Sequence, residues 1–261
     1  MNLVRLLRVF ARIGAMNELA YRANFWFQLL ESALTLAGAL GVVVVVMAQT
    51  DALAGWTTNE LLAVVGVHFM VSGMLNCVVS PSLSAFMEDV REGTLDYTLT
   101  KPEDAQLLAS ISTVHIFKLA DVALGAAVLV VGVVGMAGPV GPLQTVAFMI
   151  ALTAGAAMVY SFWMVLATMV FWFIRIENIL MVFWAVYGAG RWPITIYPGW
   201  LRWSLTVVIP VAFAVTVPAQ AVTGRLDART LGLAVVVALV SLVLSRAFWR
   251  VGLRAYSGAS A

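Results

Sequence analysis

Residues Pro81–Gln106 read PSLSAFMEDVREGTLDYTLTKPEDAQ. Glu88, Asp89, Arg91, Glu92, Asp96, Lys101, Glu103 and Asp104 all fall in this stretch, whereas only 11% of the 261-residue chain is charged. The flanking runs are oily: LLAVVGVHFMVSGMLNCVV (61–79) before it and LADVALGAAVLVVGVVGM (119–136) after it. A charged island between two such runs belongs in water. The runs themselves are apolar enough to lie in a bilayer.

Composition extends this to the whole chain. It is 62% hydrophobic with a mean hydropathy of +0.99, against about 45–50% apolar and 25% charged in soluble domains. No soluble core hides that much apolar surface, so the fold class expected is an all-α polytopic membrane protein. A β-barrel would alternate polar and apolar residues, and runs such as GALGVVVVVM do not. The net charge of +2 gives no reason to expect nucleic acid as a partner. The single cysteine, Cys77, lies in an apolar run and can form neither an internal disulfide nor a metal cluster.

The first residues, MNLVRLLRVFARIGAMNELAYRANF, contain Arg5, Arg8, Arg12 and Arg22. These leave no clean apolar segment of a secretory signal. On a helix Arg5, Arg8 and Arg12 fall within about 60° of one another, opposite Leu3, Leu6, Leu7, Phe10 and Ile13. Residues 1–22 are therefore expected to form an interfacial helix, with an organellar transit peptide as the lesser alternative.

A span needs about 20 mainly apolar residues. Five read clearly: Asn24–Met47, Leu61–Val79, Ile116–Met136, Thr145–Ile174 and Leu231–Phe248. A further one begins near Ile179 and stops at Gly190. The piece ITIYPGWLRWSLTVVIPVAFAVTVPAQAVTG is long enough to cross between Trp203 and Val222, but Pro210 and Pro218 break its helical hydrogen bonding. Broken backbone is not tolerated against lipid, so residues 194–228 are expected to dip in and return as a re-entrant extracellular hairpin. That gives one domain over 1–261 with six transmembrane helices and both termini on one side. Positive charge sets that side as the cytoplasm. Arg5, Arg8, Arg12, Arg22, Arg91, Lys101, Lys118, Arg175, Arg246, Arg250 and Arg254 fall there. Arg191, Arg202, Arg225 and Arg229 fall outside.

Several chemistries find no residues. Gly-Lys never occurs, so no Walker A loop is present. His68 and His115 have no metal-ligand spacing, and Gly-x-Ser-x-Gly is absent. Neither a catalytic nor a metal site is expected. Glu31, His68, Lys118 and Asp121 lie within apolar runs, where an unpaired charge costs roughly 2.5–3.5 kcal/mol. Lys118 and Asp121 are spaced to pair on one helix face. His68 reads either as an interhelical hydrogen-bonding residue or as the lining of a pathway, and Glu31 as the mouth of one. Gly38 with Gly41, and Ala151 with Gly155, permit close helix contacts.

The island, VREGTLDYTLTKPEDAQLLAS, resembles the Arg-x-Gly-x-Leu-Asp … Leu-x-Lys-Pro signature of type-2 ATP-binding-cassette (ABC) exporter permeases, and more closely their small six-span subgroup. IYPGWLRWSLTVVIPVAFAVTVPAQAVTG is similar to that subgroup's Tyr-Pro-x-Trp-Leu-Arg … Pro-x-Ala-Phe … Pro-Ala segment. FWRVGLRAYSGASA is similar to its tail. The resemblance implies a permease dimer, with a second copy or a paralogous permease, in the bacterial cytoplasmic (inner) membrane among its lipids. A pair of ABC ATPase subunits would carry ATP and magnesium, with no cofactor on this chain.

The resemblance makes residues 81–113 a cytoplasmic coupling loop. Ser82–Val90 is expected as a short helix with Ser82 as N-cap and Phe86 toward an apolar groove. Glu88, Asp89 and Arg91 would form its charged rim, and Gly93 a sharp turn. Leu95, Tyr97 and Leu99 alternate around Asp96, which suits an extended return, and Lys101-Pro102 ends it. Arg175 and Glu177 would form a second ATPase contact. On the family's arrangement, Phe69, Phe183, Trp184 and Tyr187 would wall a substrate path with Glu31 and His68, a greasy wall suited to amphipathic or apolar cargo. The expected function is the membrane subunit of an ABC exporter, not itself an enzyme. The rivals are a non-transporting scaffold or immunity protein and an intramembrane enzyme.

Overall fold

The computed structural model describes residues 3–19, 22–136, 138–173 and 177–256. Among the described residues the only strand-like pairing is an isolated bridge between Leu53 and Trp56. The rest of the regular structure is helical: α1 (Leu3–Leu19), α2 (Arg22–Met47), α3 (Thr58–Met74), α4 (Ser80–Glu92), α5 (Leu95–Leu99), α6 (Ala105–Ile111), α7 (Leu119–Val134), α8 (Pro142–Thr168), α9 (Glu177–Tyr187), α10 (Gly199–Val207), α11 (Val217–Val222) and α12 (Ala228–Ala255). Five helical stretches among these residues are long and apolar enough to cross a bilayer: Ala23–Met47, Thr58–Glu92, Ile116–Val134, Pro142–Phe171 and Ala228–Ala255.

The fifth expected span is shorter than its sequence suggests. α9 has 11 residues, about 16 Å at 1.5 Å per residue, and a 3-10 turn at Gly188–Arg191 leads it into Trp192-Pro193. The other membrane-length candidate is the bent pair Gly199–Val207 and Ala212–Val222, whose halves meet at 80°. Pro210 sits at that bend, where no N–H is available to continue the helix. A π-helical turn, Ala212–Thr216, carries the chain onward into α11, with Pro218 in its first turn.

Both ends of this bent segment come back to one residue. Trp56 donates its indole N–H to Thr195 Oγ1 at 3.1 Å, and the Arg225 guanidinium lies 4.9 Å from the Trp56 ring centroid. Arg225 also grips Glu60 with two hydrogen bonds of 2.8 and 2.7 Å and donates to the Gly55 carbonyl at 2.6 Å. The tip of the segment packs on α8, where Phe213 and Ala214 lie on Gly155 so closely that a Cβ would not fit. Gly155 is about 20 Å along α8 from Pro142. The Ala151–Gly155 small patch thus makes a close contact, with Ala151 fully buried. Gly38 and Gly41 face open space.

α3 and α7 pack against each other along most of their length. Gly66 and Gly125 abut so that a Cβ on either would meet the partner's backbone. This antiparallel pair forms the core together with α8, α9 and the bent segment.

The island is folded differently from expectation. Pro81 does not end the preceding helix. Helix continues from Thr58 to Glu92, 35 residues, through a π-helical turn at Leu75–Val79. A proline ring displaces the carbonyl four residues back, here that of Cys77. The extra residue in the turn accommodates this, and the freed Cys77 oxygen accepts the His115 N–H at 2.7 Å. Ser82 is consequently no N-cap. It lies inside the helix, its hydroxyl donating to the Thr113 carbonyl at 2.8 Å and accepting the Thr113 N–H at 3.0 Å. Residues 95–99 are helical rather than extended, since Leu95 and Leu99, four apart, also fit one helix face. Asp104 caps α6, accepting the Leu107 N–H at 3.1 Å.

The island gathers both ends of the described chain. Gly14 of α1 packs against the Val114 carbonyl, Leu6 is buried with Leu108 and Ile111, and Glu18 accepts the Phe117 N–H at 3.0 Å. Arg8 and Arg12 are exposed, but so are Val9, Ile13 and Met16. The side chains of Arg5, Leu7 and Arg22 lie outside the described residues. At the other terminus, Arg246 of α12 pairs with Asp104, donating to Oδ1 at 2.8 Å, and bonds Gln106 at 2.7 Å. This guanidinium holds the Asp104 carboxyl below the usual carboxylate range.

Candidate functional site

Two places carry chemistry: the outer surface of the island and a polar cavity above it. On the island, Gly93 takes φ 72° and closes α4 with a left-handed C-cap, bonding back to Asp89 and Val90. That conformation strains any residue with a Cβ. Thr94 Oγ1 bonds Asp89 Oδ1 at 3.1 Å, and Arg91 pairs with Glu88 at 3.1 Å, one turn apart. These bonds fix the rim internally, with Glu88 still half open to solvent.

Phe86 is turned the other way. It is 2% exposed, with ring centroids 4.9 Å from Trp249 and 5.7 Å from Phe171. It therefore anchors the island to α8 and α12, and an outward docking role is not available to it in this conformation. Leu95 is likewise buried. The apolar side chains the island does present are Tyr97, 76% exposed, and Leu99. They stand beside Asp96 and the exposed Lys101-Pro102 bend. Sequence reasoning passed over Tyr97 because its alternation with Leu95 read as a strand. Arg175 and the side chain of Glu177 lie outside the described residues.

The cavity measures about 190 Å³ and lies between α2, α3, α7 and α9. Of the residues expected on a path, Glu31, His68, Phe69, Trp184 and Tyr187 line it. Phe183 stands behind it, 2% exposed, packed against Trp163 and stacked on Tyr187. The wall is not simply greasy, because Lys118, Asp121, Asn76, Ser72 and Arg191 line it too. Lys118 and Asp121 face one another at 3.9 Å, as their spacing suggests. Arg191 comes from the turn beyond α9 and could not have been placed here by spacing along one helix.

The cavity has an order along its length. Asp121 lies level with Gly73 of α3. His68 is about 7 Å farther from the island at 1.5 Å per residue, and stacks on Tyr187 with centroids 4.9 Å apart. Arg191 follows, one helical turn beyond Tyr187. Among the described residues no partner satisfies His68 Nδ1, Asp121 Oδ1 or Arg191 Nε. His68 is 4% exposed and Asp121 8%. Buried polar atoms are normally bonded, and leaving one unpaired costs about 1–3 kcal/mol. Among the described residues no group of three or more His, Cys, Asp or Glu side chains is placed to hold a metal ion.

The model of the family described as ABC-2 family transporter protein matches residues 33–260. The chain belongs to the ABC-2 transporter family. This ABC-2 protein is thus a type-2 ABC permease, an all-helical, multi-pass membrane protein and the transport subunit of an ABC transporter. The family as a whole works with an ABC ATPase. No curated protein and no solved structure matches the chain. The match takes in the island and the bent segment and begins within α2, so that Glu31 and Ser32 of the cavity wall precede it.

Proposed function

We propose that this chain is the membrane subunit of an exporter in a bacterial cytoplasmic membrane. ATP hydrolysis on a separate pair of ATPase subunits would reach it through residues 81–113. A second permease, identical or paralogous, would complete the complex. The observation that carries the reading is the unbroken helix Thr58–Glu92. Its far half supplies the cavity wall at His68, Phe69, Ser72 and Asn76, and its near end is the first helix of the island. A push on the island therefore travels along one rigid rod to the cavity, with the π-helical turn at Leu75–Val79 as the place where the rod can bend. The ATPase would engage Glu88, Asp89, Asp96, Tyr97, Lys101 and Pro102, with Phe86, Gly93 and Leu95 holding that surface in shape.

The bent segment is, on this reading, a hairpin that enters from the side opposite the island and returns there. Its support is the convergence of Thr195 and Arg225 on Trp56. The island side is the cytoplasm because Arg91, Lys101, Arg246, Arg250 and Arg254 gather there.

Purification in mild detergent should recover an ATPase with the chain, and replacing Glu88, Asp89 and Tyr97 by Ala should release it and stop transport. If no ATPase is recovered and the variant keeps every activity, the coupling role is wrong. For the hairpin, cysteines placed at Trp200 and Arg229 in a Cys77→Ser background should label from the same face of the membrane. Labelling from opposite faces would make the segment a crossing.

A further inference from the structure

A second cavity adjoins the polar one. It measures about 400 Å³ and is walled by Leu34, Ala39, Val42, Val43, Val65 and Trp192, with Gly38 among them. Thr35 and Arg191 border both cavities. Leu34 and Val42 are exposed at its edge, so its mouth lies along the apolar face of α2. A Cβ placed on Gly38 would meet nothing within 4 Å. From Thr35 to Val42 is about 10 Å along the helix, less than the roughly 15 Å of one leaflet's hydrocarbon.

Arg191 is the cation at the join. Its Nε is shut in. Its terminal nitrogens, Nη1 and Nη2, are not shut in and meet no acceptor among the described residues, so they are the part of the guanidinium that reaches the cavities. The neighbouring Gly190 lies against His68, ten residues into α3 from Thr58, or about 15 Å from that end. A guanidinium without a counter-charge at such depth is costly and marks a pathway or a ligand. The carboxylates of the polar cavity do not supply the counter-charge. Asp121 pairs with Lys118. Glu31 lines only the polar cavity, one turn of α2 nearer the island than Thr35, and forms no ion pair with Arg191 among the described residues.

An acidic head at the join would accept from Nη1 and Nη2, the forked bonding that guanidinium gives to acid groups, with Thr35 beside it. A cationic head would meet like charge, and an uncharged one would leave the guanidinium unmatched. An apolar tail would lie in the groove along Gly38, held by close packing, since lipid is as apolar as the wall. The length and volume suit one medium chain and not a two-chain lipid.

We propose that Arg191 and the Gly38 groove bind a single-chain amphiphile with an acidic head, its head at Arg191 and its tail against α2. This deepens the reading of these helices as the cargo's route. It is tested by binding alone, without ATP or transport, so its failure and the failure of the ATPase-coupling reading are separable.

The full chain, with whatever subunits accompany it, is reconstituted in nanodiscs of phosphatidylcholine. Three decyl probes carry a photoreactive diazirine at the tail end and a sulfonate, a trimethylammonium or a hydroxyl as head. Labelling of residues 34–43 is read by mass spectrometry against labelling of α12, which corrects for partition into the bilayer. The sulfonate should label residues 34–43 at least five-fold more than either other probe, and Arg191→Gln should erase that preference. Gly38→Leu should cut sulfonate labelling there at least five-fold, because its side chain enters the groove. Gly41→Leu, equally unobstructed but outside the groove, should label as wild type. Should Arg191→Gln fail to purify as a monodisperse protein, the head comparison in wild type and the two glycine variants still decide. The proposal is overturned if the three heads label alike or if Gly38→Leu and Gly41→Leu behave alike. It is overturned if phosphatidylglycerol in the nanodisc abolishes the labelling, which makes the occupant a resident lipid. It is overturned too if Gly38→Cys, in a Cys77→Ser background, crosslinks chain to chain, which makes the groove an interface with a second copy.

Discussion

Two polar clusters lie on the same helix, α3, and they are built on opposite rules. Near its start, Glu60 accepts from the Thr57 N–H and hydroxyl as well as from two guanidinium nitrogens of Arg225, which also reaches the Gly55 carbonyl and the Trp56 ring. Two turns on, His68 lies almost wholly buried, with Nδ1 unpaired among the described residues. The first cluster is closed and fully satisfied, which fixes one geometry. The second is shut in and left unpaired, its Nδ1 exposing almost no surface. A satisfied network stabilises the chain, while an unsatisfied buried group costs stability.

That contrast can be broken by substitution. Arg225→Ala removes hydrogen bonds to a charged partner, worth about 1.5–3 kcal/mol each when well formed, from a side chain that is partly exposed. A net loss of about 2 kcal/mol is expected, read as a lower thermal midpoint of the detergent-purified protein. A midpoint equal to wild type would show that the far-end cluster is ornamental.

Asp104→Asn tests the island's own tie to α12. Both partners there are more than a third exposed, so the expected loss is smaller, about 0.5–1 kcal/mol. Its pH dependence has a definite sign. Arg246 lowers the folded-state pKa of Asp104, so this stabilisation is present above the unfolded value of about 3.9 and is lost as pH falls through the folded value. Wild type and variant should differ at pH 7 and converge at strongly acid pH. A gap that persists unchanged in acid would exclude the carboxylate as its source.

Tyr97→Ala should shift stability by no more than about 0.5 kcal/mol, as for an ordinary surface site, while ATPase recovery in a pull-down drops. Smallest of all is His68→Phe. An apolar ring of similar shape keeps the stack on Tyr187 and removes an unpaired buried nitrogen, so stability should be unchanged or slightly higher. Transport should fall nonetheless. If His68→Phe destabilises as much as Arg225→Ala, the two clusters are of one kind after all.

The sequence disclosed some features because their causes are local. A run of twenty apolar residues must be helical in lipid, and Pro210 breaks its own helix wherever the chain goes. Lys118 and Asp121 pair because they are three apart. The features it concealed depend on distant atoms. The span reads as ending at Val79 and a new helix as starting at Ser82 until the His115 N–H is found to take the carbonyl that Pro81 displaced. Phe86 reads as a docking residue until Trp249, from the last helix, closes over it. Leu95–Leu99 is too short for its alternation to separate strand from helix. The cavity draws Glu31, His68, Asp121 and Arg191 from four separate elements, and nothing in their spacing joins Arg191 to the rest.

The return of Thr195 and Arg225 to Trp56 has a consequence in chain statistics. The stretch between them is in effect a ring, closed by non-covalent contacts instead of by a covalent bond. Closing a loop of a few tens of residues costs several multiples of RT in entropy, and the ring bears that cost at two ends of unequal strength: Thr195 is held by the indole alone, Arg225 also by Glu60 and Gly55. Replacing Trp56 would release the Thr195 end, so the start of the stretch, through α10, should loosen in hydrogen exchange, while the Arg225 end, α8 and α12 keep their protection.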